Sequence, residues 1–212
     1  MDSHDVRRQW ADRSGEYSPM YYAYYGPNET SDVVRRMLEQ FVDQDAPVLE
    51  LGCSSGRHLA HLHEHGFEDL SGIELNDDAL AVMEDAYPGV AGDGEFYLDS
   101  IESVIGDFAD DQFSAVYSVE TLQHLHPDTT WVFDELSRIT DEVLITAEIE
   151  TCEDDDAVED DDTGVTYVDE GMPLYHRDWE AIFTDREFEA VAVTQEQRDT
   201  IRTFRAPSSS DE

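Results

Sequence analysis

The chain has 212 residues, enough for one domain with a sizeable core. Its 52 acidic residues outweigh 12 basic ones, all of them arginine, for a formal charge of −40, a field that repels nucleic acid and anionic lipid. Apolar residues still make up 40%, which argues against disorder, and no apolar run approaches the ~20 residues that span a bilayer.

The acids are spread along the whole length, with one denser run at 153–162. Such a spread fits a surface adapted to concentrated salt better than it fits an acidic interaction tail. Cys53 and Cys152 are isolated, so a disulfide framework is not expected, and MDSHDVRRQW lacks the apolar region of a secretion signal. A cytoplasmic location is the expectation.

The first 30 residues carry Tyr17, Tyr21, Tyr22, Tyr24 and Tyr25. Two readings stand: an amphipathic segment packed on a sheet edge, or a lid whose aromatic faces cover a ligand. Thr30, Ser31 and Asp32 then read as the cap of a helix with Val34, Met37, Leu38 and Phe41 on one face.

The stretch PVLELGCSSGR, Pro47 to Arg57, is the chemical centre of the chain. Val48, Leu49 and Leu51 read as a strand buried on both faces. A small-residue turn, Gly52 to Gly56, follows, and then a helix with Leu59 and Leu62 that stops at Gly66. Strand, tight turn and helix N-terminus form a nucleotide-binding unit, because small residues let a ligand approach the backbone and the helix offers free N–H groups. A dinucleotide fingerprint G-x-G-x-x-G fails here, since Ser54 and Arg57 stand where glycines are needed. The next strand, Asp69 to Leu75, closes with Glu74 at about the 20-residue spacing of an acid that holds a ribose.

Glu50-x-Gly52-x-Ser54-x-Gly56 resembles the acidic-x-Gly-x-Gly-x-Gly signature of class I S-adenosylmethionine-dependent methyltransferases, with serine in place of the middle glycine. Serine resists a left-handed backbone there. The resemblance implies that Glu50, Gly52, Cys53, Ser54, Gly56, Glu74 and Leu75 surround S-adenosylmethionine. It also implies a Rossmann-like, doubly wound, seven-stranded α/β sheet, mostly parallel with an antiparallel closing strand, plus an N-terminal helical cap.

Asn76 to Asp78 caps the next helix, which carries Ala79, Val82, Met83 and Ala86 and ends at Pro88-Gly89. Glu95 to Asp99 reads as a third strand, and by resemblance Asp99, Ser100 or Ile101 contacts the adenine. The text DDQFSAVYSVETLQHLHPDT, with its strand Phe113 to Val119, is similar to the family's fourth strand and the Leu-x-His-Leu segment after it. By that resemblance Ser118 and Val119 lie near the methionyl group, and Glu120, Gln123 and His124 face the transfer site. His124 and Glu120 are the catalytic candidates. His124 either takes a proton or packs structurally, and His176 is a rival from another loop.

A helix over Thr129–Thr140 and a strand over Val143–Ala147 follow. Residues 150–171 read as a solvated polar insertion; their carboxylates lack the alternation of a calcium loop. A helix with Trp179, Ile182 and Phe183 precedes two closing strands, Ala190–Val193 and Thr200–Phe204. His61 and His65 have metal-pair spacing but no identifiable further ligand, so a solvated face is expected and no metal.

The resemblance divides the chain into a cap or lid at 1–45, a methyltransferase domain at 46–206 with the acidic loop at 150–171, and a tail at 207–212. It implies methyl transfer to a small-molecule acceptor, with no nucleic-acid or membrane partner. An NAD-dependent oxidoreductase and a non-catalytic cofactor-binding regulator are the alternatives. Neither the acceptor atom nor the oligomeric state is set by these residues.

Overall fold

A computed structural model of the protein describes residues 2–150, 164–168, 171–196 and 198–207. Cys152, the dense acidic run and the tail beyond 207 lie outside the described residues.

Seven strands form one sheet: β1 (Val48–Leu51), β2 (Leu70–Glu74), β3 (Glu95–Leu98), β4 (Phe113–Val119), β5 (Thr140–Glu148), β8 (Glu189–Glu196) and β9 (Asp199–Arg205). Their order is β3-β2-β1-β4-β5-β9-β8. The first five run parallel, and β9 lies antiparallel to both of its neighbours. The sheet is therefore the mostly parallel, seven-stranded, Rossmann-like one expected. The chain builds outward from β1 to β3 and then returns to place β4 on the other side of β1. That reversal opens a crevice beyond the carboxyl ends of β1 and β4, where ligands bind in open α/β sheets.

Alternate strand residues feed two cores, because successive side chains in a strand point to opposite faces. Leu49, Leu51, Val116 and Leu144 pack with Val132, Phe133 and Leu136 of α8 (Trp131–Ile139), and with Trp179 and Phe183 of α9 (Trp179–Thr184). Val48, Ala115, Tyr117, Val143 and Ile145 pack on the opposite face with Val34 and Leu38 of α3 (Glu29–Phe41), Leu59 and Leu62 of α4 (Arg57–Glu64), and Met83 of α5 (Asp78–Ala86).

Several boundaries differ from the sequence reading. Helix α3 starts earlier than Thr30–Asp32, because Asn28 and Ser31 form a reciprocal capping box. Pro88 opens α6 (Pro88–Asp93) rather than ending the structure there, since proline suits a first helical turn. Helix α8 begins at Trp131, after a 3₁₀ turn over Pro127–Thr129. The region expected to be a solvated insertion contains β6 (Val165–Val168), which pairs antiparallel with β7 (Met172–Tyr175) as a separate hairpin. Before the sheet, α1 (Ser3–Ala11) and α2 (Pro19–Tyr25) complete the N-terminal segment.

Candidate active site

A cleft opens at the reversal point of the sheet. Its floor is the β1 turn. Gly52 has φ 66° and lies so close to Thr121 that a Cβ would collide with the threonine side chain. Ser54 also takes the left-handed region, at φ 49°. The strain expected for serine is real, and its N–H donates to Glu74 Oε2 at 2.7 Å. Glu74 Oε1 accepts from the N–H groups of Leu75 and Asn76, each at 2.7 Å. One carboxylate thus ties the end of β2 to the turn after β1. Burial raises its pKa, against the pull of these three donors.

Glu50 lies at the cleft wall, 1% exposed, and accepts from the Tyr117 hydroxyl at 3.0 Å. Its pKa is raised well above the usual carboxylate range by burial. Cys53, Leu75, Asp99, Ser100 and Ile101 also line the cleft, so the residues assigned to three different strands are brought together. Gly56 and Ser118 are not among the lining residues. Gly56 is the left-handed cap of α4, packed against Met83. Ser118 is fully buried and turns its hydroxyl to Glu148 at the end of β5.

The N-terminal segment forms the opposite wall. Val6, Arg7, Trp10, Arg13, Tyr17 and Tyr22 line the cleft. Asn76 Nδ2 donates to the Trp10 and Arg13 carbonyls at 3.3 and 3.0 Å, and Arg7 pairs with Glu102 at 3.2 Å. Arg57 stacks over the Tyr22 ring at 4.6 Å. These ties hold α1 and α2 across the crevice rather than on a sheet edge.

A smaller chamber adjoins the cleft and shares Trp10, Tyr17, Tyr22, Glu120 and His124 with it; Gln123, Val168, Leu174 and Arg198 complete its walls. The His124 ring packs on Trp10 at 4.5 Å, and its Nδ1 faces the Pro173 carbonyl at 3.3 Å. Donation from Nδ1 leaves Nε2 as the acceptor nitrogen. Burial lowers the His124 pKa to about 4, so the ring is neutral near pH 7. Glu120 has φ 49° and pairs with Arg198 at 2.5 Å. Asp199 is raised to about 7 by burial and by Glu120. Gln123 is buried and accepts from the Ile149 N–H at 2.9 Å, which fixes it as a wall residue.

His58 and His126 also line the cleft, whereas His176, His61 and His65 do not. His176 lies against Thr166 and the Glu150 carbonyl, outside both cavities. His61 meets Asp32 at 3.2 Å, and the His65 Nδ1 meets the His61 carbonyl at 2.7 Å. Among the described residues, no group of three or more His, Cys, Asp or Glu side chains is placed to hold a metal. Nor is any helix among them long and apolar enough to cross a membrane.

Sequence reasoning missed Thr121, Glu148 and Arg177. Glu148 ends β5 as Glu74 ends β2, so a carboxylate at the close of a buried strand was the available signal.

Residues 48–142 match the family model described as "Methyltransferase domain". Over that stretch the chain resembles a methyltransferase domain. Its resemblance to the class I methyltransferases extends to the fold of solved structures. Magnesium protoporphyrin IX methyltransferase from Synechocystis PCC 6803, solved with S-adenosylhomocysteine, aligns with TM-score 0.68 and 13% identity over 97% of this chain and 100% of that one. The 1,6-didemethyltoxoflavin-N1-methyltransferase of Burkholderia thailandensis, also with S-adenosylhomocysteine, aligns with TM-score 0.63 and 16% identity over 96% of this chain and 83% of that one. Among curated proteins, EEF1A lysine methyltransferase 2 of Danio rerio is 33% identical over 57 residues, 27% of this chain. The matched stretch spans 24% of that relative. The matched stretch spans β1 to β4, and the cleft lies at their carboxyl ends.

Proposed function

We propose that the protein transfers a methyl group from S-adenosylmethionine to a small-molecule acceptor. The observation that carries this reading is the Glu74 carboxylate, held beside the glycine-bearing turn at the switch point of a methyltransferase domain. A ribose is the ligand such an acid suits, since the acceptor site left on Oε2 can take a hydroxyl. Gly52, where a side chain has no room, suits a ligand drawn close to the backbone. Asp99, Ser100 and Ile101 are assigned to the base. Ser54 and Arg57, where a dinucleotide fold has glycines, disfavour NAD.

The cofactor supplies an electrophilic methyl on a sulfonium. The chain's own task is then to hold an acceptor in line with it and to exclude water. Trp10, Tyr17 and Tyr22 wall the cleft beside Glu120 and His124, so a small acceptor with an apolar body suits it better than a polymer does. His124, neutral and with Nε2 free of the Pro173 contact, receives the acceptor's proton where the acceptor is not already a free amine or an anion. Glu120, paired with Arg198, orients the acceptor rather than serving as a free base. Of the cap expected at 1–45, α1 and α2 act as the lid of this site, while α3 packs into the core of the sheet.

The same reading includes a salt-adapted, cytoplasmic protein, supported by the charge of −40 and the absence of lysine. A Glu74→Ala variant tests the ribose assignment: S-adenosylmethionine affinity should fall at least about tenfold, or about 1.4 kcal/mol. Unchanged affinity would remove Glu74 from the site. Transfer of label from methyl-labelled S-adenosylmethionine into a pool of small metabolites, and not into nucleic acid, tests the acceptor class.

A further inference from the structure

Glu148 closes β5 with no exposed surface. Its Oε1 accepts from the Ser118 hydroxyl and from the N–H groups of Thr121 and Leu122 at 3.2 and 3.0 Å; its Oε2 accepts from the Gln123 N–H at 3.1 Å. From the other side, the Arg177 guanidinium donates to the Leu122 carbonyl at 3.1 Å and to the Leu125 carbonyl. It is packed among the rings of Tyr175, Phe133 and Trp179, at 5.3, 5.5 and 5.6 Å. The 3₁₀ turn Leu122–His124 therefore has an anion at its amide end and a cation at its carbonyl end. Each charge complements that end of the turn's dipole. What the turn carries gives the arrangement its consequence. Thr121 presses on Gly52 in the cofactor turn, and His124 walls the acceptor chamber.

We propose that Glu148 and Arg177 are positioning residues that clamp residues 121–125 in register between the cofactor turn and the acceptor chamber, so that the ionisation of Glu148 sets cofactor affinity. This rests on the assignment of the cleft to S-adenosylmethionine. An ionised carboxylate offers only acceptors. Protonation removes the charge that strengthens these bonds and turns one oxygen into a donor that the Ser118 hydroxyl can accept, so the three loop amides are held by a weaker, neutral acceptor. Burial places this change at about pH 7, although all four donors favour the ionised form. Burial lowers the Arg177 pKa to about 10, and the charge of Glu148 works against that lowering, so the two groups are coupled. Ser118 faces Glu148 from β4, and Thr200 lies opposite it on β9. Of the nearby carboxylates, Glu120 pairs with Arg198 and Glu150 with Arg202, while Asp199 also has a pKa raised to about 7, and the Glu148→Gln variant separates the two. His124 turns Nδ1 to Pro173.

The test follows the amide resonances of residues 121–123 by nuclear magnetic resonance, and S-adenosylmethionine affinity by calorimetry, from roughly pH 5.5 to 8.5 across the Glu148 transition. In the unmodified protein, the amides and the affinity should share one inflection near neutrality, with binding several-fold weaker on the acid side. Glu148→Gln should abolish the inflection. Arg177→Met should keep it but move it to higher pH, because removing a nearby cation disfavours the carboxylate. A purely packing role would lower stability without moving an inflection. Affinity that is flat with pH in the unmodified protein, or an Arg177→Met inflection left in place, overturns the clamp and spares the cofactor site. Absence of S-adenosylmethionine binding in all three proteins overturns both.

Discussion

Individual residues at the site are held in conformations that their types disfavour. Ser54 and Glu120 both sit in the left-handed region, and both lie at carboxyl ends of the two strands that bound the crevice. Such strain persists only where surrounding contacts over-determine it. For Ser54 the contact is Glu74, and for Glu120 it is the Ala147 carbonyl behind it, 2.8 Å from its N–H, with Arg198 in front. Gly52 is the position with no tolerance. Gly52→Ala meets both a positive φ and the Thr121 side chain, so we expect a loss of roughly 1–3 kcal/mol, read as a lower thermal midpoint. A midpoint equal to that of the unmodified protein would contradict the packing of Thr121 on the turn.

Asp199 gives a pH dependence of definite sign. Its folded pKa, about 7, lies above the ordinary 3.8, because of burial first and Glu120 second. A carboxyl of this kind contributes stability below its unfolded value and loses that contribution as pH rises through about 7. Asp199→Asn should therefore gain on the unmodified protein in denaturant midpoint from pH 4 towards pH 7. His124 works in the opposite direction: its folded pKa of about 4 lies below 6.5, so its neutral burial is penalised as pH falls from 6.5 towards 4. The comparison of variant with unmodified protein isolates Asp199 from that background.

Secondary-structure elements show what a sequence can and cannot convey. The strands β1, β2 and β4 were legible because each is a short apolar run buried on both faces, where burial and sequence pattern coincide. Glu74 was legible because its spacing from Gly52 is set by one strand–helix–strand unit. The hairpin β6–β7 was not. Val165, Thr166, Tyr167 and Val168 are half-buried or exposed, and only their partner strand is fully buried. Their pairing depends on His176, whose backbone N–H donates to the Gly164 carbonyl at 2.8 Å and whose ring meets Thr166, a contact across the hairpin with no local signature. The start of α3 was misplaced for a related reason. Asn28 and Thr30–Asp32 are all plausible caps in isolation, and Ser31 is committed by a partner on another helix, the His58 Nδ1 at 2.8 Å. Ser31→Ala removes the capping box and leaves the buried His58 without that partner. We expect a loss of about 1–3 kcal/mol in urea unfolding, more than an exposed cap alone would cost.

The N-terminal helices belong to the same scale. Aromatic composition at Tyr17–Tyr25 left two readings open. The carbonyls of Trp10 and Arg13, bound by Asn76 two residues after Glu74, are backbone groups that no side-chain pattern could announce. Asn76→Ala should leave the fold intact and weaken ligand binding in the cleft, measured as S-adenosylmethionine affinity beside an unchanged circular dichroism spectrum.

For the whole molecule, charge and cofactor chemistry meet. At −40, self-repulsion opposes the compact state, and screening relieves it as the Debye length falls to a few ångströms near 1 M salt. Unfolding midpoints should rise from low to multimolar KCl; a maximum at low salt would end the salt-adaptation reading. Binding measurements therefore belong in concentrated KCl, where the fold is expected to be complete. The most direct measurement is calorimetric titration of the purified protein in multimolar KCl with S-adenosylmethionine, and separately with NAD⁺. Micromolar binding of S-adenosylmethionine with no NAD⁺ heat is the predicted result. Binding of NAD⁺, or of neither ligand, would contradict the assignment of Glu50 to Glu74 as a methyl-donor site.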